Sequence, residues 1–298
     1  MTDATPATIA DRPIYRFAPS PNGRLHVGHA YSALVNFDLA RANGGRFLLR
    51  IEDIDTARCT PELEALMLDD LAWLGLEWEE PVRRQSEHFA DYARALEALA
   101  EAGLAYRSTM SRGDIRRFAE AQEMQGTIWP RDPDGAPLFP GRAHEDATEA
   151  DRSAAWRLDV RAALDHCGTV PGWREEGQGP EGETGWQVAR PEHWGDFLLA
   201  RRDIPTSYHL SVVVDDALQG VTHVVRGRDL FHATAAHVLL QDLLGLPRPV
   251  YTHHDLIVDD RVGRKLSKSR GDTALGALRA AGLTPADIRA MVGLPAPR

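Results

Sequence analysis

The segment Arg16-Phe-Ala-Pro-Ser-Pro-Asn-Gly-Arg-Leu-His-Val-Gly-His29 constrains this chain more than any other. Tyr15 to Ala18 is short and mostly apolar, the pattern of a buried strand. Pro19, Pro21, Asn22 and Gly23 then break it into a turn. From His29 onward, Ala30, Leu34, Phe37 and Leu39 recur at helical spacing. A strand, a tight turn and a helix start form a ready phosphate site, because free backbone N–H groups and the positive end of the helix dipole meet the anion there. His26 and His29 would face one ligand from the helix start. Gly28 leaves room for a nucleotide to approach the backbone.

The pattern beyond this unit predicts an α/β fold. A helix over 29–43 is stopped by Gly44-Gly45, and 46–51 reads as a buried strand running into Glu52-Asp53-Ile54-Asp55. Thr60-Pro61 is an N-cap and first-turn pair for a helix over 62–74. Ser86 is expected to cap an amphipathic helix carrying Phe89, Tyr92, Leu96 and Leu99. Strands alternating with such helices indicate a parallel sheet. After Tyr106 the composition changes. A short helix is expected at 111–121, irregular chain at 126–150, a strand near 154–160 and a loop at 170–185. Regular order returns at Gly195. The segment 207–216 reads as a strand or a short helix start, 220–226 as a strand and 231–244 as an apolar helix. A last strand is expected at 250–258 and helix over 273–294. The expected organisation is a disordered tail at 1–12, a first half of a nucleotide-binding domain at 13–106, an insertion at 107–190 and the second half at 191–298.

Composition excludes several classes. No apolar run approaches the ~18 residues of a membrane span, and Met1–Arg12 is small and polar, unlike a signal peptide. The two cysteines, Cys59 and Cys167, are far apart, which fits a reducing cytoplasm. A formal net charge of −10 argues against indiscriminate nucleic-acid binding but leaves room for a local basic groove. A monomer is expected.

The first segment resembles the HIGH signature region of the class I aminoacyl-tRNA synthetases, in the glutamyl branch. Lys265-Leu-Ser-Lys-Ser269 resembles that class's second signature, the KMSKS loop. The resemblance implies a Rossmann-type parallel sheet with an α+β insertion that contacts tRNA, and a short helical C-terminal part. It implies activation of a carboxylic acid by ATP, supplied as Mg-ATP with Mg2+. In that reaction charge grows on phosphate oxygens, so fixed donors and cations matter more than a covalent nucleophile. His26, Gly28 and His29 suit the phosphates from one side. Lys265 and Lys268 sit on a Ser/Gly-flanked loop suited to close over the triphosphate. By resemblance Lys268 is the ATP lysine; taken alone, the run would read as a solvated basic loop.

Glutamate needs two carboxylates paired and one ammonium matched, and arginine forks serve carboxylates best. The residues that match the glutamyl pocket by resemblance are Arg16, Glu52, Tyr208 and Arg226, with Phe17, Ala18, Pro19 and Ser20 as the adjoining wall. Glu52 would meet the ammonium. Arg16 and Arg226 would hold the carboxylates, in an order the sequence leaves open. Arg226 would reject glutamine, whose neutral amide under-compensates a guanidinium.

The chain ends at Arg298, shortly after the second signature, without the helical module with which glutamyl-tRNA synthetases read the anticodon. In this it resembles the glutamyl-queuosine branch, which activates L-glutamate and attaches it to queuosine at the wobble position of tRNA(Asp). The expected partner is then the tRNA(Asp) anticodon loop, since RNA readers favour unpaired loops. By the same resemblance, activation proceeds without tRNA. The alternatives are a truncated glutamyl-tRNA synthetase charging tRNA(Glu), a nucleotidyltransferase and a non-catalytic RNA-binding paralogue. The intact signatures and the glutamate pocket disfavour the last two.

Relatives of this kind often hold zinc in the insertion through cysteines. Here Ser108, Met110, Phe139 and Ala143 stand at those positions, and none supplies a thiolate. His253-His254 is a poor metal pair, because neighbours on a strand point to opposite faces. Elemental analysis of the purified protein should give far less than one zinc per chain; a stoichiometric value would overturn this expectation.

Overall fold

The computed structural model describes residues 12–145, 154–259, 264–265 and 274–296. Residues 1–11 of the expected 1–12 tail, the last part of the irregular 126–150 stretch and Lys268 lie outside the described residues.

A seven-stranded sheet organises the fold, in the order β3-β2-β1-β9-β10-β6-β7. Its strands are β1 (Ile14–Phe17), β2 (Arg46–Ile51), β3 (Glu79–Arg84), β6 (Gly172–Glu175), β7 (Gly185–Val188), β9 (His223–Gly227) and β10 (Val250–His254). All neighbours pair in parallel except β6 and β7, which are antiparallel. The strand order reverses between β1 and β9, and ligands of such sheets bind beyond the carboxyl ends of the strands at that switch.

Helix α1 (Val27–Ala42) follows β1, and α2 (Pro61–Trp73) follows β2. The α2 start is as the sequence predicts: Thr60 Oγ1 accepts the Leu63 N–H and Pro61 sits in the first turn. α3 (Phe89–Glu101) forms with the expected apolar face, Tyr92, Leu96 and Leu99, buried. Ser86 does not cap it. A one-turn 3-10 helix, Gln85–Glu87, intervenes, and Ser86 instead donates its N–H (2.8 Å) and hydroxyl (2.6 Å) to Asp53.

A second, antiparallel sheet has the order β4-β5-β8, from β4 (Ala105–Ser108), β5 (Ala155–Leu158) and β8 (Leu198–Ala200). α4 (Arg112–Met124) and α5 (Val160–Cys167) accompany it. Two of the four residues at expected zinc-ligand positions pack against the Arg157 guanidinium. Arg157 lies 4.0 Å over the Phe139 ring and donates to Ser108 Oγ at 3.1 Å. Met110 packs on the Tyr106–Ile115–Phe139 cluster, and Ala143 is exposed in a 3-10 turn.

Two segments depart from expectation. The 170–185 stretch is a loop only over 176–184: β6 lies within it, β7 begins at its last residue, and both extend the main sheet. Their glycines and acids hide the strand pattern, and only Trp173 is a large buried apolar residue. The ambiguous 207–216 stretch is helical, α6 (Tyr208–Leu218), capped by Ser207. Its three consecutive valines favour a strand by propensity. Burial of every residue from Leu210 to Asp216 removes the amphipathic period that marks a helix. α6 packs between α3 and α7 (Ala233–Leu243). The chain closes with the short hairpin β11 (Val258–Asp259) and β12 (Arg264–Lys265), then α8 (Leu275–Ala280) and α9 (Pro285–Met291).

α6 is fastened by charge as well as packing. Asp215 is fully buried and accepts from Arg83 Nε (2.7 Å), Gln85 Nε2 (2.8 Å) and Tyr92 Oη (2.9 Å). Asp215→Ala removes the buried acceptor shared by Gln85 and Tyr92 and one of two carboxylates from Arg83, which keeps Asp91, and should cost roughly 1–3 kcal/mol. Urea unfolding measures this; a loss below about 1 kcal/mol would show that the network does not hold α6 in place.

Candidate active site

One cavity of about 650 Å3 lies at the switch point. It is lined by Arg16, Phe17, Ala18, Pro19 and Ser20 after β1, by Glu52 after β2, and by His26, Gly28 and His29 at the α1 start. Tyr208 from α6 and Arg226 from β9 complete the set expected from sequence. Lys265 lies on β12, and Lys268 is outside the described residues. The chain leaving the second signature returns to the first. Ala274 bridges to His26, and Leu275 N–H donates to Leu25 O at 2.8 Å.

The nucleotide end is built by capping. His26 is the N-cap of α1, and its Nδ1 accepts the Gly28 N–H at 3.1 Å. His29 Nδ1 accepts the His26 N–H at 3.2 Å, so the two form a capping box made of imidazoles. A ring nitrogen that accepts a backbone N–H carries no proton, so each neutral ring keeps its proton on Nε2. The rings lie 3.8 Å apart, centre to centre, on the cavity wall. That places two N–H donors where an anion meets a helix N-terminus. Gly28 has a second reason to be glycine: a Cβ there would come within 3.0 Å of the His26 ring.

The opposite end is built by ion pairs. Arg16 is buried and its Nε donates to Asp216 Oδ1 at 3.0 Å. Arg50, also buried, donates to Asp216 Oδ1 at 2.7 Å and to Glu52 Oε1 at 3.2 Å. Ser20 Oγ donates to Glu52 O at 2.5 Å, stitching the turn after β1 to the end of β2. Arg226 is held differently. Its Nη1 donates to His237 Nδ1 (3.1 Å) and the Tyr208 hydroxyl (3.4 Å), and its Nη2 to Thr234 Oγ1 (2.7 Å) and Leu230 O (3.2 Å). Its Nε donates to His253 Nε2 at 3.1 Å. Among the described residues these partners are all neutral acceptors. Arg226 therefore brings a positive charge to the cavity that is not directly paired, whereas the Arg16 charge is shared with Asp216.

The electrostatics follow. Burial pushes the Glu52 carboxyl above the usual range, against the pull of Arg50 and Arg16. Burial also raises Asp216, but Arg16 and Arg50 outweigh it and hold this carboxyl below the usual range. Burial, followed by the Arg226 charge, lowers His209 to about 4 and keeps it neutral.

Arg50, Asp216, His237 and His253 were not expected in this site. Arg50 had a visible signal, a charge inside an otherwise apolar strand. The acidic pair Asp215-Asp216 was visible too, but its strand-or-helix ambiguity hid where it points. His253 and His254 do take different settings: His253 is buried against Arg226, and His254 lines the cavity edge-on to Tyr31 at 4.9 Å.

The catalytic-domain model of the class I tRNA synthetases (E and Q) matches residues 14–294. The chain belongs to this family. Among class I synthetase relatives, a glutamyl-Q tRNA(Asp) synthetase of Rhodobacter capsulatus is 51% identical, over 94% of this chain and 100% of the relative. A glutamate–tRNA ligase of Prochlorococcus marinus is 37% identical over 90% of this chain, which spans 55% of that enzyme. Among solved class I synthetases, the glutamate–tRNA synthetase of Elizabethkingia anophelis superposes with a TM-score of 0.69 at 26% identity, covering 88% of this chain and 53% of that one. The mostly parallel sheet and its switch-point cavity are thus the class I synthetase catalytic fold. Among the described residues no helix is long and apolar enough to cross a membrane.

The raised Glu52 carboxyl predicts a pH effect. A group with a raised pKa loses its charge early as pH falls, so any cation held by Glu52 is released above the range where ordinary carboxylates protonate. The kcat/KM for glutamate should show an acid limb above about 4.3, where the substrate's own side-chain carboxyl titrates. Glu52→Gln should abolish that limb; a limb that survives in the variant would remove Glu52 from ammonium binding.

Proposed function

We propose that this chain activates L-glutamate with ATP and transfers it to queuosine in the anticodon loop of tRNA(Asp). The carrying observation is the 51% identity, over 94% of this chain, to a relative named for that activity, against 37% for a glutamate–tRNA ligase. The cavity supports the first half of the reaction, because one wall is made of anion donors and the other of charges that match an amino acid with two carboxylates.

In this reading, glutamate lies between Arg16, Glu52, Tyr208 and Arg226. Its ammonium meets Glu52. Its side-chain carboxylate bridges Arg226 Nη1 and the Tyr208 hydroxyl, which converge at 3.4 Å. The unshared charge of Arg226 suits a full carboxylate and leaves a neutral glutamine amide poorly matched. Arg16, whose charge is shared with Asp216, steers the α-carboxylate without holding it so tightly that attack is blocked. An α-carboxylate oxygen attacks the α-phosphorus of ATP, the P–O bond to the β-phosphate breaks and pyrophosphate leaves. His26 and His29 donate from Nε2 to the phosphate oxygens as charge builds there. By resemblance of the second signature, Lys265 and Lys268 are assigned to the same phosphates. ATP enters as its magnesium chelate, and no residue is assigned to the metal. A hydroxyl of the queuosine cyclopentenediol then attacks the adenylate carbonyl and AMP leaves. We assign residues 107–190 to tRNA contact, apart from β6 and β7, which belong to the main sheet.

The test uses ATP and labelled glutamate with tRNA(Asp) bearing queuosine, tRNA(Asp) lacking it, and tRNA(Glu). Label should appear on queuosine-bearing tRNA(Asp) alone. Charging of tRNA(Glu), or equal labelling of both tRNA(Asp) forms, would defeat this reading.

A further inference from the structure

Strand β6 delivers a carboxylate to the heart of the main sheet. Glu175 is 1% exposed. It accepts from His253 Nδ1 (2.6 Å), the His253 N–H (2.8 Å), the Gly177 N–H (2.9 Å) and Trp173 Nε1 (3.2 Å). The approach is close: a Cβ at Gly177 would lie 2.3 Å from His253 O, so only glycine lets the chain after β6 lie against β10 here.

The far edge of the same imidazole, Nε2, accepts from Arg226 Nε at 3.1 Å. An imidazole that accepts at Nε2 carries its proton at Nδ1, the edge that faces Glu175. Burial lowers His253 to about 4, so the ring is neutral. Burial raises the Glu175 carboxyl, but the hydrogen bonds it accepts from His253 and Trp173 outweigh it and keep the carboxyl below the usual range, ionised. The order is therefore carboxylate, neutral ring, guanidinium. On the other side, His237 accepts from Arg226 at Nδ1, so its Nε2 proton points to His209 Nδ1 at 3.2 Å.

We propose that Glu175, acting through His253, is a positioning residue for glutamate recognition: it sets the plane of the Arg226 guanidinium and supplies its counter-charge at one ring's remove. A carboxylate bonded directly to Arg226 would compete with the substrate. A buried guanidinium with no counter-charge nearby would be costly. The intervening neutral ring meets both demands. The inference rests on the assignment of Arg226 to the substrate's side-chain carboxylate.

The experiment is a cycle on the full chain with Glu175→Gln, His253→Gln, Arg226→Lys and the Glu175→Gln/Arg226→Lys double variant. ATP–pyrophosphate exchange gives KM for glutamate and for ATP, and calorimetric titration with the unreactive analogue glutamol adenylate gives affinity where exchange is too slow. Glu175→Gln and His253→Gln should each raise the glutamate KM on the order of tenfold, the loss expected from one buried charge-assisted bond. The ATP KM should stay unchanged and the preference for glutamate over glutamine should fall. The double variant should be no worse than Arg226→Lys, because Glu175 acts only through Arg226. Unchanged glutamate KM in both relay variants, with Arg226→Lys impaired, would overturn the relay and leave Arg226 in place. Unchanged KM in Arg226→Lys would instead overturn the assignment beneath it. Fully additive losses, or unfolding of both relay variants in thermal melts, would make the pair purely structural and also overturn the proposal.

Discussion

The buried guanidinium of Arg50 is the interaction on which the rest depends. It leaves β2, bonds Asp216 on α6 and Glu52 at the end of its own strand, and lies 3.8 Å from Asp215. Asp216 lies 166 residues from Arg50 in the chain. Burying such a charge is costly unless its partners are all present, so the network forms only when β2 and α6 dock correctly. Asp216 then bonds Arg16, and Asp215 bonds Arg83, Gln85 and Tyr92. The position of the cavity wall around Arg16 and Glu52 is thus a consequence of satisfying one cation.

The two ends of the cavity are built by different means. The nucleotide end is local. His26, Gly28 and His29 cap one helix, and the caps set which nitrogen of each ring carries the proton. The opposite end is non-local. Its cations come from β1 and β9, its anion from β2 and its hydroxyl from α6. Two arginines of identical chemistry acquire different duties because one is paired with a carboxylate and the other with imidazoles and hydroxyls.

Legibility in the sequence follows the same division. The strand, turn and helix at residues 14–42 could be read because Pro, Gly and helical spacing act over a few residues. So could the α2 cap at Thr60-Pro61. The residues that meet in the cavity could be named by resemblance, and the structure places all of the described ones on its wall or, for Lys265, on β12. Ser86 looked like a helix cap but found a stronger partner in Asp53, 33 residues earlier. β6 and β7 were hidden because glycine and charge blur the strand pattern, while neighbouring strands supply the pairing.

The sequence by itself determined a class I α/β fold with two signatures and a glutamate-type set of charges, since these depend on local pattern and residue type. The tertiary structure decided which arginine keeps an unshared charge, which acid anchors it and from how far away. Those answers depend on distances across the sheet, from Arg50 to α6 and from Glu175 through His253 to Arg226. No local pattern encodes such distances.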